Sequence, residues 1–150
     1  MCRRWLTALT LVAVAACGGD DSGTGPVGSL NVGGTWNMSI SNMSGSGASC
    51  STSDPIRATI RQTGSSFTGT YTGGILSCLT PTESFSTAVG SGAITNGQVG
   101  GSTISFDLGA YGHHDGTLSG NSMSGSAEWT YDFGLPLNEV PLTGGWSATR

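Results

Sequence analysis

Ser122-Met123-Ser124-Gly125-Ser126-Ala127-Glu128-Trp129-Thr130-Tyr131 alternates polar residues with apolar or small ones without a break. Successive side chains on an extended chain point to opposite faces. Met123, Gly125, Ala127, Trp129 and Tyr131 therefore share one face, and the serines, Glu128 and Thr130 share the other. This is a strand with one dry and one wet side. The same period of two recurs on either side of it. Trp36, Met38 and Ile40 alternate with Thr35, Asn37 and Ser39, and Ile56, Ala58 and Ile60 with Arg57, Thr59 and Arg61. Phe67, Gly69 and Tyr71 form a third set, Ile104, Phe106 and Leu108 a fourth, Trp146 and Ala148 a fifth. Two weaker runs complete the series. Phe85 to Thr95 changes parity around Gly90-Ser91-Gly92, which predicts a bulge, and Tyr111 to Leu118 is less apolar. No helical periodicity is visible from residue 33 to residue 150.

The fold class this predicts is all-β, with about eight antiparallel strands running up and down. Tight connections are expected at Gln62-Thr63-Gly64-Ser65-Ser66, at Asn96-Gly97, a strong hairpin signal, and at Gly120-Asn121. Most of the other connections, 42–54, 73–83 and 133–142, read as longer loops. In a simple meander every tight turn falls at one end and every longer loop at the other. Such a sheet has exposed edges unless its first strand meets its last, which closes a barrel. Glycine two places after an apolar residue, as at Phe67-Thr68-Gly69, Leu118-Ser119-Gly120 and Met123-Ser124-Gly125, fits a sharply coiled sheet or a Gly-rich hairpin habit.

The first residues have a different character. Arg3 and Arg4 precede the apolar run Leu9 to Ala16, which is shorter than the ~20 residues needed to cross a bilayer. A basic start, an apolar middle and small residues before a cut are the parts of an export signal. Val14-Ala15-Ala16-Cys17 resembles a bacterial lipobox. That resemblance implies a lipoprotein signal peptide over 1–16, cleavage before Cys17, and lipidation of Cys17. The membrane partner is then reached through acyl chains, two or three of which anchor stably where one would not. Residues 17–32 read as a lipidated flexible tether and 33–150 as the β-barrel domain. Gly23-x-Gly25-x-x-Gly28 matches a dinucleotide fingerprint in letters only, with no strand before it and no helix after it. With Cys2 in the signal and Cys17 lipidated, Cys50 and Cys78 remain as a pair. In an exported protein they are expected to form a disulfide. In the meander both fall at the same end. A thiolate metal site, the rival reading, has no further Cys or His at ligand spacing.

The opening Gly34-Thr35-Trp36 and the closing Trp146 to Arg150 resemble the calycin group, the lipocalin-like and avidin-like up-and-down barrels. The resemblance implies that Trp36, Trp146 and Arg150 close the barrel, with the guanidinium over the Trp36 indole at the tight-turn end. Small bacterial lipoproteins that inhibit proteases are similar in lipobox, Gly-x-Trp and cysteine pair.

Downstream of Cys17 three arginines, Arg57, Arg61 and Arg150, stand against nine carboxylates, and there is no lysine. Nucleic acid is not an expected partner of so acidic a chain. His114 is expected to face inward and His113 outward, so one strand cannot aim both at a metal, and neither a metal nor another cofactor is expected. No Gly-x-Ser-x-Gly, His-x-x-x-His or carboxylate cluster is present, and none of the serines has a readable base partner. The chain is therefore not read as an enzyme. Two functions stay open. One is a non-catalytic binding barrel holding a small apolar ligand against Tyr71, Phe106, Trp129 and Tyr131. The other is a surface interaction or inhibitor-like module that meets a protein partner through the long loops. The tether enters at the tight-turn end, so those loops point away from the membrane. Phe133, Leu135, Leu137 and Val140 would form a contact patch there, or a lid. A monomer in the cell envelope is expected. Gly18 lacks the Asp that resembles an inner-membrane retention signal, which favours the outer membrane.

Overall fold

The computed structural model describes residues 30–133 and 139–150. The segment expected to be a signal peptide, Cys17 and most of the segment expected to be a tether lie outside the described residues, as do Leu135 and Leu137. Eleven strands follow in order: β1 (Gly34–Gly45), β2 (Ala48–Asp54), β3 (Ile56–Thr63), β4 (Ser66–Thr72), β5 (Ile75–Leu79), β6 (Ser84–Ala88), β7 (Ser91–Gly100), β8 (Thr103–Leu108), β9 (His113–Ser119), β10 (Ser122–Asp132) and β11 (Glu139–Thr149). A single 3-10 turn, Gly109–Tyr111, joins β8 to β9. Eight of the strands, in the order β1-β3-β4-β7-β8-β9-β10-β11, form an antiparallel barrel, closed by pairing of β11 with β1.

The inward sets expected from the period of two are the ones that are buried. Trp36, Met38, Ile40, Ile56, Phe106, Leu108 and Leu142 are fully enclosed, and they belong to one core cluster with Phe67, Tyr71, Trp129 and Trp146. Gly69 and Gly125 permit close approach of neighbouring strands. A Cβ on Gly125 would collide with the Asp115 carbonyl, and one on Gly69 with that of Thr59. Gly120, the third glycine of that phrase, lies instead in the β9–β10 turn.

Four connections differ from expectation. Residues 42–54 and 73–83 are not loops, and of the expected loop 133–142 residues 139–142 belong to β11, where Val140 is buried in the core. β2 and β3 are two parts of one descending stretch divided at Pro55, where the missing N–H interrupts the ladder. β4 and β5 are likewise one ascending stretch bent at Gly73-Gly74, both at positive φ (72° and 87°), which glycine adopts without a Cβ clash. The expected strand Phe85–Thr95 is divided too: β6 and the start of β7 flank Val89-Gly90. The upper parts of these stretches leave the barrel as a flap, β2-β5-β6, joined to the top of β1 through Met43↔Cys50. Where β1 passes from β3 to β2, side chains complete its hydrogen bonding. Thr52 Oγ1 accepts from Ile40 N (3.0 Å), and Ser51 Oγ accepts from Asn42 N (3.1 Å).

Asn96-Gly97 is not a hairpin either. Asn96 (φ 54°) is the extra residue of a bulge within β7, and the β7–β8 turn is Gly101-Ser102. The bulge moves the inward phase from Ile94 to Gly97 and Val99, which a hairpin at that point would not do.

Candidate functional site

The tight-turn end is plugged. Val32 is buried beneath the barrel. Its N–H donates to Gln62 Oε1 (2.7 Å), and its carbonyl accepts from Trp36 Nε1 (2.8 Å). The Arg150 guanidinium lies 4.6 Å from the Trp36 ring centroid, donates to the Gly33 carbonyl (2.9 Å) and to Asn121 Oδ1 (3.3 Å). Trp36 and Arg150 thus meet as expected. Trp146 stands higher. Its Nε1 donates to the Asp115 carbonyl (3.0 Å), and its ring packs on Phe106 with centroids 5.2 Å apart.

The middle of the barrel is occupied by side chains. Phe106 stacks on His114 (5.0 Å, 14° between planes) and tilts against Phe67 (5.9 Å). Above them Tyr111 links Tyr71 (6.2 Å) and Trp129 (5.0 Å), and its hydroxyl donates to the Val89 carbonyl (3.0 Å). Of the four residues expected to line a ligand, Tyr71, Phe106 and Trp129 are buried in this packing, whereas Tyr131 is half-buried at the rim against Phe133 (4.7 Å). Among the described residues two polar atoms in this interior, His114 Nε2 and Trp129 Nε1, have no hydrogen-bond partner. His114 Nδ1 lies 3.3 Å from the Gly112 carbonyl. That contact makes Nδ1 the protonated nitrogen of the neutral ring and leaves a lone pair on Nε2. Burial is the main cause that lowers the His114 pKa to about 4.

His113 faces outward, as its parity predicts. Its Nδ1 is 2.7 Å from Asp107 Oδ1, and its Nε2 is 3.4 Å from Asp115 Oδ1. Asn96 Nδ2 donates to the other oxygen of Asp107 (2.6 Å). The hydrogen bond to Asp107 raises the His113 pKa; the bonds from Asn96 and His113 lower that of Asp107. Asp107 is therefore a fixed anion oriented by two donors. Among the described residues no group of three His, Cys, Asp or Glu is arranged to hold a metal ion.

The flap is the part that sequence reading missed as structure. Cys50 and Cys78 do pair in a disulfide, and they stand directly opposite each other on β2 and β5. The inner face of the flap, with Ala48, Cys50, Leu76 and Cys78, joins the barrel core, and Phe85 packs on Phe133 (6.0 Å). The outer face is different. Ser77 Oγ donates to Ser53 Oγ (3.3 Å) and lies 2.9 Å from Ser86 Oγ, so one row of hydroxyls crosses all three strands. A shallow groove of about 510 Å³ runs here, lined by Ser49, Ser51, Ser77, Leu79, Ser84 and Ser86. Leu79 (59% exposed) and Ile75 (36%), the exposed large apolar residues among the described residues, stand on the same face. The signal was present as alternating serines at 49, 51 and 53, at 77, and at 84 and 86. No run of large apolar residues alternates with those in 42–54 and 73–83, so these read as loop, and only Ser86 fell within an expected strand, Phe85–Thr95.

No family model, no curated protein and no solved structure matches this chain.

Proposed function

We propose that this protein is a lipid-anchored, non-catalytic binding module of the cell envelope that meets a protein partner with the outer face of its flap. The observation that carries the reading is the exposure of Leu79 among serines, with Ile75 exposed on the same face. Leu79 between Ser49 and Ser84, with Ile75 between Asp54 and Ala88 further along the same face, has the mixed character of an interface patch. The packed interior supports a surface role over a cavity role, since Phe106, His114, Tyr111 and Trp129 occupy the space a ligand would need. Lipidation of Cys17 and placement at the outer membrane belong to the same proposal. With the lead-in at Val32 on the plugged end, the flap is carried at the far end of the barrel. Kinship with calycins is part of it too, supported by the closed eight-stranded barrel and by Arg150 over Trp36.

The test is photo-crosslinking in cells. A crosslinker placed at Leu79 should capture a protein of one mass that is not a second copy of this chain, and one at Ser65, exposed in the β3–β4 turn of the plugged end, should not. Equal capture at both positions defeats the reading.

A second reading, a small ligand inside the barrel, is favoured by the unpartnered His114 Nε2 and Trp129 Nε1. One is an acceptor and the other a donor, which suits a hydroxyl. Quenching of tryptophan fluorescence by a small alcohol or phenol, lost in Trp129→Phe and His114→Leu, would establish it.

A further inference from the structure

β6 ends the sheet order, and among the described residues its outer edge pairs with nothing. Its five residues, Ser84-Phe85-Ser86-Thr87-Ala88, carry no charge, no proline and no bulge. An edge of this kind is a row of unpaired N–H and C=O groups, which proteins ordinarily guard with lysine, proline or a kink. Here the neighbouring strands hold it in register instead. The Cys50–Cys78 bond fixes β2 to β5, and the Ser53–Ser77–Ser86 hydroxyls link β5 to β6.

We infer that this edge pairs with the same edge of a second copy of the chain, antiparallel about a two-fold axis through Ser86. The strand is complementary to itself in that register. Ser86 stands opposite the second copy's Ser86, Phe85 opposite Thr87, and Ser84 opposite Ala88. Small outward residues meet small outward residues, and the hydroxyl row continues across the axis. Phe85 and Thr87, only half-buried at the open edge, gain cover beside Phe133. Charge selects the same place. The chain carries a net charge of −4, so two copies repel over most of their surfaces. The groove face and β6 are uncharged. Glu83, the nearest carboxylate along the strand, falls opposite Val89 of the second copy rather than another acid. The pairing uses up both free edges, so it closes as a dimer and does not propagate. It is carried by the backbone edge of β6, while the partner proposed above meets outer-face side chains around Leu79, with Ser84 and Ser86 at the border of both.

The experiment is cysteine scanning in the full-length protein under mild oxidation. In this register the two Ser86 Cα atoms lie ~4.5–5.5 Å apart, inside the ~4.4–6.8 Å reach of a disulfide. The two Ser84 positions are four residues out of step, ~13 Å apart. Ser86→Cys should give a covalent dimer and Ser84→Cys should not. Light scattering of the parent protein should show a doubled mass, lost in Ser86→Lys, which sets two ammonium groups face to face. Unchanged tryptophan fluorescence shows that this variant is folded. A single-copy mass up to the solubility limit, a doubled mass that survives Ser86→Lys, or cross-linking at Ser84 equal to that at Ser86 would each overturn the inference.

Discussion

His114 sets how this barrel responds to acid. Its ring is fully buried, stacked on Phe106 with Trp146 at 5.9 Å, and its Nε2 has no partner. Burial penalises the imidazolium and lowers the pKa from 6.5 to about 4. In the unfolded chain the ring takes its proton near pH 6.5. Because the folded value is the lower one, the unfolded state binds the proton first as pH falls. The contribution of the buried neutral ring is complete above pH 6.5 and is lost progressively toward pH 4. Integrating the proton uptake between pH 7.5 and pH 5 gives a loss of about 2 kcal/mol. That window lies above the range where carboxylates titrate. His113 acts in the opposite direction. Its raised pKa means that its bond to Asp107 contributes stability below pH 6.5, lost as pH rises through the folded value, but solvent screening keeps the effect small. The assay is urea unfolding followed by tryptophan fluorescence at several pH values between 7.5 and 5. The parent protein should lose about 2 kcal/mol across the window. His114→Leu should be nearly flat there, and His113→Gln should be slightly steeper than the parent. A flat parent profile, or a His114→Leu profile as steep as the parent's, refutes the reasoning.

Four further outcomes are expected. Cys50→Ser with Cys78→Ser should lower stability by roughly 3 kcal/mol, because the bond closes a loop across a sequence separation of 28, and urea titration reads it directly. Arg150→Ala should lower the urea midpoint by an amount equivalent to about 1 kcal/mol, through loss of the contact with Trp36 and the bond to the Gly33 carbonyl, and Arg150→Lys should recover only part of it. Gly125→Ala should cost about 3 kcal/mol or more, since its Cβ meets the Asp115 carbonyl, while Gly64→Ala, with open space around it, should show only the smaller strain of its positive φ (62°). Cys17→Ser should abolish incorporation of labelled palmitate and release the protein from the membrane fraction; persistence of the label would place the lipid elsewhere.

The barrel was legible in the sequence because burial on one face of a strand writes itself as a period of two. Trp36, Ile60, Phe106, Ala127 and Trp129 stand on the predicted side, and His114 and His113 divide inward and outward as their parity requires. The Trp36–Arg150 meeting was expected from the resemblance of Gly34-Thr35-Trp36 and the last strand to calycins, and the pairing of the first strand with the last brings the two side chains together. The flap was not. Its outer face is serine, so β2 carries no alternation of large apolar residues, and its existence depends on long-range partners, Met43 with Cys50 and Cys50 with Cys78. Asn96-Gly97 has the chemistry of a hairpin and of a bulge alike. Only pairing with Phe67 and Thr95's partner Asp107 decided between them. Local periodicity determines which side of a strand is dry. Which strands leave the barrel, and which edge stays open, is decided by contacts between residues far apart in the chain, and these leave no mark on the local pattern.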